Sequence, residues 1–127
     1  MSDTLTVLYA EDEADIREVT EFALEDEGFE LIICSSGQEA LDKAVTQSPD
    51  LILLDVMMPG MDGPTTLNKL RELPNLQDTP VIFMTAKVQP AELQQYKALG
   101  ALGVITKPFE AMTLAEQIRS LVEGQND

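Results

Sequence analysis

Five short aliphatic runs divide the chain: Leu5–Ala10, Leu31–Cys34, Leu51–Leu54, Val81–Met84 and Val104–Ile105. Each has the length of a strand and is rich in Val, Ile and Leu. A strand with one wet face alternates apolar and polar residues. Unbroken aliphatic runs instead imply burial on both faces, as in a parallel sheet covered by helices.

The intervening segments carry helical spacing. Ile16, Val19 and Ala23 fall at i, i+3 and i+7, with Phe22 beside them and Gly28 as a stop. Gly37 to Gln47 carries Ala40, Leu41 and Ala44 before Pro49. Pro64 suits the first turn of a helix that Pro74 ends. Pro90 opens another, with Leu93, Tyr96 and Leu99, closed by Gly100; Tyr96 and Leu99 are expected to face the sheet. Leu114, Ile118, Leu121 and Val122 mark the last. The order is βαβαβαβαβα, which predicts an α/β fold with a doubly wound parallel sheet. A chain of 127 residues fits one domain, expected over residues 1–123, with 124–127 as a C-terminal tail.

Composition excludes several functions. The net charge of −15 opposes binding to a phosphate backbone or an anionic membrane. Histidine is absent, which removes Ser-His-Asp and Cys-His catalysis and most zinc sites. The single cysteine, Cys34, forms no intramolecular disulfide and follows three aliphatics, as a core residue would. The N-terminus lacks a signal peptide and no segment has the length of a membrane span, so a cytoplasmic protein is expected.

The polar residues fall at the ends of the runs. Glu11 and Asp12 follow the first, Asp55 the third, Thr85 the fourth, and Thr106-Lys107-Pro108 the fifth. Ligands of open parallel sheets bind outside the carboxyl ends of the strands. If the first and third strands are neighbours, Glu11, Asp12 and Asp55 converge, with Thr85 and Lys107 approaching from the other side. Three such carboxylates repel one another unless a cation sits among them. Lys107 is one candidate and Mg²⁺, with its preference for oxygen ligands, is another. Asp55 is then a candidate nucleophile. Singly, each residue has a plainer reading: Asp55 as a loop cap, Glu11 and Asp12 as helix N-terminal acids, Thr85 as a strand-end hydroxyl, Lys107 as a snorkelling side chain.

Together, Glu11-Asp12, Asp55 within LLDVMMPGMDG, Thr85 within FMTA and Lys107-Pro108 within TKPF resemble the receiver domain of two-component response regulators, across essentially the whole chain. The resemblance implies a flavodoxin-like sheet of strand order 2-1-3-4-5. It implies that Asp55 accepts a phosphoryl group from a phosphohistidine on a partner histidine kinase or histidine phosphotransfer protein. Asp12, Asp55 and the backbone carbonyl of Met57 would bind Mg²⁺ directly, and Glu11 mainly through water. Thr85 and Lys107 would contact the phosphoryl group, and the Lys107-Pro108 bond would be cis. Output would pass to a downstream protein target through the fourth helix, fifth strand and fifth helix. No DNA-binding or enzymatic segment is expected to follow, so the chain reads as a stand-alone switch rather than an enzyme. A phosphorelay intermediate and a degenerate receiver acting as a binding module are the alternatives.

Two positions depart from the family's pattern. Val104 stands where many receivers carry an aromatic residue that swings inward with the threonine. Glu11 replaces the commoner aspartate. Met57 and Lys87 occupy the positions that flank the attacking water. A phosphatase with an aspartyl intermediate would need an acid at position 57, where methionine stands. The Met57-Met58 pair is expected to pack in the core.

Overall fold

A computed structural model describes residues 4–86 and 89–124. Five parallel strands form one sheet in the order β2-β1-β3-β4-β5. The strands are β1 (Leu5–Ala10), β2 (Phe29–Cys34), β3 (Leu51–Asp55), β4 (Val81–Thr85) and β5 (Ala101–Thr106). The helices between and after them are α1 (Ala14–Leu24), α2 (Gly37–Ala44), α3 (Gly63–Leu70), α4 (Pro90–Ala98) and α5 (Ala111–Gly124).

The aliphatic runs fill two cores, one on each face. Successive side chains of a strand point to opposite faces. Leu8, Ile52, Leu54 and Phe83 pack with Ala40 and Ala44 of α2, Leu67 and Leu70 of α3 and Tyr96 of α4. Val7, Tyr9, Leu51, Leu53, Ile82 and Met84 pack with Ala23 and Leu24 of α1 and Leu114 and Ile118 of α5. Every residue of β3 and β4 is buried. Leu53 is among the fully buried side chains, and Leu53→Ala is expected to lower unfolding free energy by about 2–5 kcal/mol. Urea titration checks this as a lower midpoint with an unchanged slope.

The edge strands begin earlier than the aliphatic runs. β2 starts at Phe29 and β5 at Ala101, and each has half-exposed positions. Lacking a neighbour on one side, they tolerate Glu30 and Gly103 inside the strand. A Cβ at Gly103 would stand 2.7 Å from Leu121, so the missing side chain lets α5 lie close to β5. α2 ends at Ala44, before Gln47, and α3 at Leu70, before a 3-10 turn at Pro74–Leu76. Ser36 and Asp62 cap α2 and α3 by accepting from the Glu39 and Thr65 N–H groups.

On α1 the buried face is Thr20, Ala23 and Leu24, while Val19 and Phe22 are exposed. The polar Thr20 enters the core because its Oγ1 shares a 2.8 Å hydrogen bond with Tyr9 Oη and lies 2.9 Å from the Ile16 carbonyl. Tyr96 faces the sheet as expected and stacks obliquely on Phe83, with ring centroids 5.1 Å apart. Leu99, expected beside it, is exposed. It lies beyond the end of α4, where the chain turns into Gly100 at φ +95°. Among the described residues no helix is long and apolar enough to cross a membrane.

Candidate functional site

Strand register brings the acids together. Ala10 of β1 pairs with Leu54 of β3, so Glu11 and Asp55 leave adjacent strands side by side. The Glu11 N–H continues the β1–β2 ladder to the Cys34 carbonyl at 3.0 Å. One oxygen each from Glu11, Asp12 and Asp55 lies within 4.8 Å of the others. Glu11 and Asp55 are buried, and Asp12 is half-buried.

Lys107 enters from β5. Its N–H donates to the Thr85 carbonyl at 2.8 Å, which ties it to the end of β4. Its Nζ lies 2.8 Å from Asp55 Oδ1 and 3.1 Å from Glu11 Oε1. The lysine is mostly buried and bridges the two acids, so it does not snorkel. The Lys107-Pro108 bond is cis. Thr85 is the buried last residue of β4, on the strand between Asp55 and Lys107.

Asp55 caps no helix. That role for α3 belongs to Asp62. Gly63 N–H donates to the Val56 carbonyl at 2.9 Å, folding the loop back under Asp55. Met58 is buried as expected, but Met57 is 75% exposed. Alternation past the strand turns Met58 toward the core and Met57 out to a cavity of about 590 Å³ beside Asp55 and Lys107. Ile16, Val19, Pro108 and Phe109 give that cavity apolar walls.

One ammonium among three carboxylates leaves an excess of negative charge. Glu11 shows the strain: burial and then the Asp55 charge push its carboxyl up to about 7, against the Glu13 N–H and Lys107, which favour ionisation. Burial alone would lower the Lys107 ammonium, but Asp55 and Glu11 outweigh it and raise it. Asp55 Oδ1, though buried and in ion contact with Lys107, accepts no well-directed hydrogen bond among the described residues. An under-satisfied buried oxygen within a carboxylate cluster fits a hard divalent cation such as Mg²⁺.

A pH prediction follows. The folded state holds the Glu11 proton more tightly than the unfolded chain. That stabilisation is therefore full below about 4.5 and lost as pH rises to about 7. In chelator, wild type is expected to lose stability across this window relative to Glu11→Gln, by at most about 1.4 kcal/mol per pH unit. Urea midpoints of both proteins across the window measure the difference.

Val104 is half-buried and packs against the core on the α2–α4 face. Lys87 lies outside the described residues, as do residues 125–127 of the expected tail. Arg17 was not among the residues singled out from sequence. Its Nη1 donates to the Glu11 carbonyl at 2.7 Å. The available signal was a lone cation in an otherwise acidic helix.

The family model for the response regulator receiver domain matches residues 7–119. The chain belongs to this family. The receiver domain is 34% identical over 122 residues to the transcriptional regulatory protein CseB of Streptomyces coelicolor, covering 96% of this chain and 51% of that protein. It is 38% identical over 115 residues to the transcriptional regulatory protein DltR of Streptococcus agalactiae, covering 91% and 50%. The chain thus spans about half the length of the curated relatives it matches. Among solved structures, the chemotaxis response regulator CheY4 of Vibrio cholerae superposes with a TM-score of 0.86 at 33% identity, covering 93% of this chain and 98% of that one. The receiver domain of a signal transduction histidine kinase from Syntrophus aciditrophicus gives 0.79 at 32% identity, covering 95% and 92%. The sheet order and the strand-end acids place this chain within the receiver architecture of two-component signalling.

Proposed function

We propose that this receiver domain is a phosphoacceptor switch in which Asp55 takes a phosphoryl group from a phosphohistidine on a partner histidine kinase or histidine phosphotransfer protein. The observation that carries the reading is the buried Asp55 carboxylate, held 2.8 Å from the Lys107 ammonium beside Glu11 and Asp12, at the edge of an open cavity. An Asp55 oxygen forms the new O–P bond as the N–P bond to the donor imidazole breaks, and the imidazole recovers a proton from solvent. Lys107 faces both the carboxylate and the incoming phosphoryl oxygens, with the Thr85 hydroxyl as a second contact. Asp12, Asp55 and the Met57 carbonyl would hold Mg²⁺, and Glu11 would reach it through water. When bound, the ion offsets the carboxylate repulsion and the charge of the phosphoryl group. These 127 residues contain no histidine, so the phosphohistidine lies outside them.

The domain signals through protein contacts rather than by turnover, and net charge −15 keeps this chain itself off nucleic acid. We place it in the cytoplasm, with residues 1–123 as the receiver. Incubation with Mg²⁺ and phosphoramidate, followed by intact mass, tests the reading. A gain of one phosphoryl group that chelator abolishes is expected. No gain at any time point, in a protein that also fails to bind Mg²⁺, would favour a degenerate binding module instead.

A further inference from the structure

Glu11 is held at each of its polar groups. Its N–H donates to the Cys34 carbonyl at 3.0 Å. One carboxylate oxygen accepts from the Glu13 N–H at 3.2 Å, and the other meets Lys107 at 3.1 Å. Its carbonyl accepts from Arg17 Nη1 at 2.7 Å. That carbonyl belongs to the Glu11–Asp12 peptide, whose plane sets the direction in which the Asp12 side chain leaves the backbone. Arg17 is the only cation of α1 (Ala14–Leu24) and is half-buried. The helix that carries it is anchored to β1 by the buried Tyr9–Thr20 hydrogen bond. The guanidinium therefore reaches back from a fixed element to a fixed carbonyl.

We infer that Arg17 is a positioning residue for the divalent cation: by locking the Glu11–Asp12 peptide through the Glu11 carbonyl, it holds the Asp12 carboxylate where the cation needs it. The inference rests on the reading of Glu11, Asp12 and Asp55 as the Mg²⁺ site. Charge alone argues the other way, because a guanidinium near the site repels Mg²⁺ and its removal would tighten binding. The two effects have opposite signs, so one titration separates them. Positioning prevails, because a half-exposed charge is screened by solvent and salt, whereas loss of the carbonyl's partner frees the peptide to turn.

The test is calorimetric titration of Mg²⁺ into wild type, Arg17→Met and Arg17→Lys, with thermal unfolding of each. Phosphoramidate labelling is followed against Mg²⁺ concentration in parallel. Arg17→Met keeps much of the aliphatic stem and loses the donor. Its Kd for Mg²⁺ is expected to rise about 10-fold, the usual effect of removing a partner that orients a metal ligand. Labelling at saturating Mg²⁺ should stay within about twofold of wild type. Arg17→Lys, which keeps a donor, is expected to fall between the two; it carries the test by itself if Arg17→Met does not fold. An unchanged or tighter Kd in a folded variant overturns the inference, as does a lower saturated rate at unchanged Kd. Wild type without saturable Mg²⁺ binding would overturn the site reading itself, and this inference with it.

Discussion

Asp55→Asn is expected to reduce phosphoryl labelling at least about 100-fold, because an amide oxygen is a far weaker nucleophile than a carboxylate. The substitution preserves shape and removes one charge from the cluster. Lys107 keeps Glu11 as a partner at 3.1 Å, so the fold should survive. A second effect distinguishes loss of charge from general damage. Asp55 is one of the two causes that raise the Glu11 carboxyl. Without it, the Glu11 pKa moves back toward its ordinary value, and the pH dependence of stability in chelator flattens. Labelling assays and urea midpoints on the same preparation read both effects. A variant that is labelled at the wild-type rate would remove Asp55 from the acceptor role.

Gly63→Ala is expected to damage stability and function together. A Cβ at position 63 would stand 2.6 Å from the Asp55 carbonyl oxygen and 3.0 Å from Val56 Cα. Both obstacles are backbone, so relief requires moving the segment that carries Asp55. Overpacking of this kind costs about 2–3 kcal/mol, which lowers the melting temperature by roughly 10 °C in a domain of this size. Labelling should also slow, since the displaced segment bears the acceptor. Gly60 is the useful control. It has φ +81° but nothing within 4 Å of a Cβ, so Gly60→Ala is expected to cost only about 1 kcal/mol from backbone strain and leave labelling nearly intact. Equal losses in the two variants would show that the close approach at Gly63 is not what matters.

The central strands were legible because burial on both faces leaves no polar position to interrupt the pattern. Leu51–Leu54 and Val81–Met84 each extend in the structure by one residue, and in both cases that residue is the polar strand end, Asp55 or Thr85. The edge strands were less legible. Glu30 and Gly103 sit inside β2 and β5 and weaken an aliphatic signal that only fully covered strands maintain. Helix faces were misjudged where a hydrogen bond outweighed hydropathy, as when Thr20 was buried through Tyr9 while Val19 stayed exposed. In the site, the side chains that converge were readable from their places at strand ends. The link from Arg17 to Glu11 was not, because it joins a side chain to a backbone carbonyl, and sequence spacing gives no sign of such a bond. The exposure of Met57 beside a buried Met58 depends on a loop geometry that a methionine pair does not specify.

The most direct measurement is the position of the phosphoryl group. The protein is labelled with phosphoramidate and Mg²⁺, reduced with borohydride, digested and sequenced by mass spectrometry. An aspartyl phosphate is an acyl phosphate, and hydride reduction converts its side chain to that of homoserine, whereas a phosphate ester on serine, threonine or tyrosine is left untouched. The account predicts homoserine at position 55, dependent on both donor and Mg²⁺. Homoserine at another acid, Asp12 included, or a stable phosphate ester with Asp55 unchanged, would contradict it.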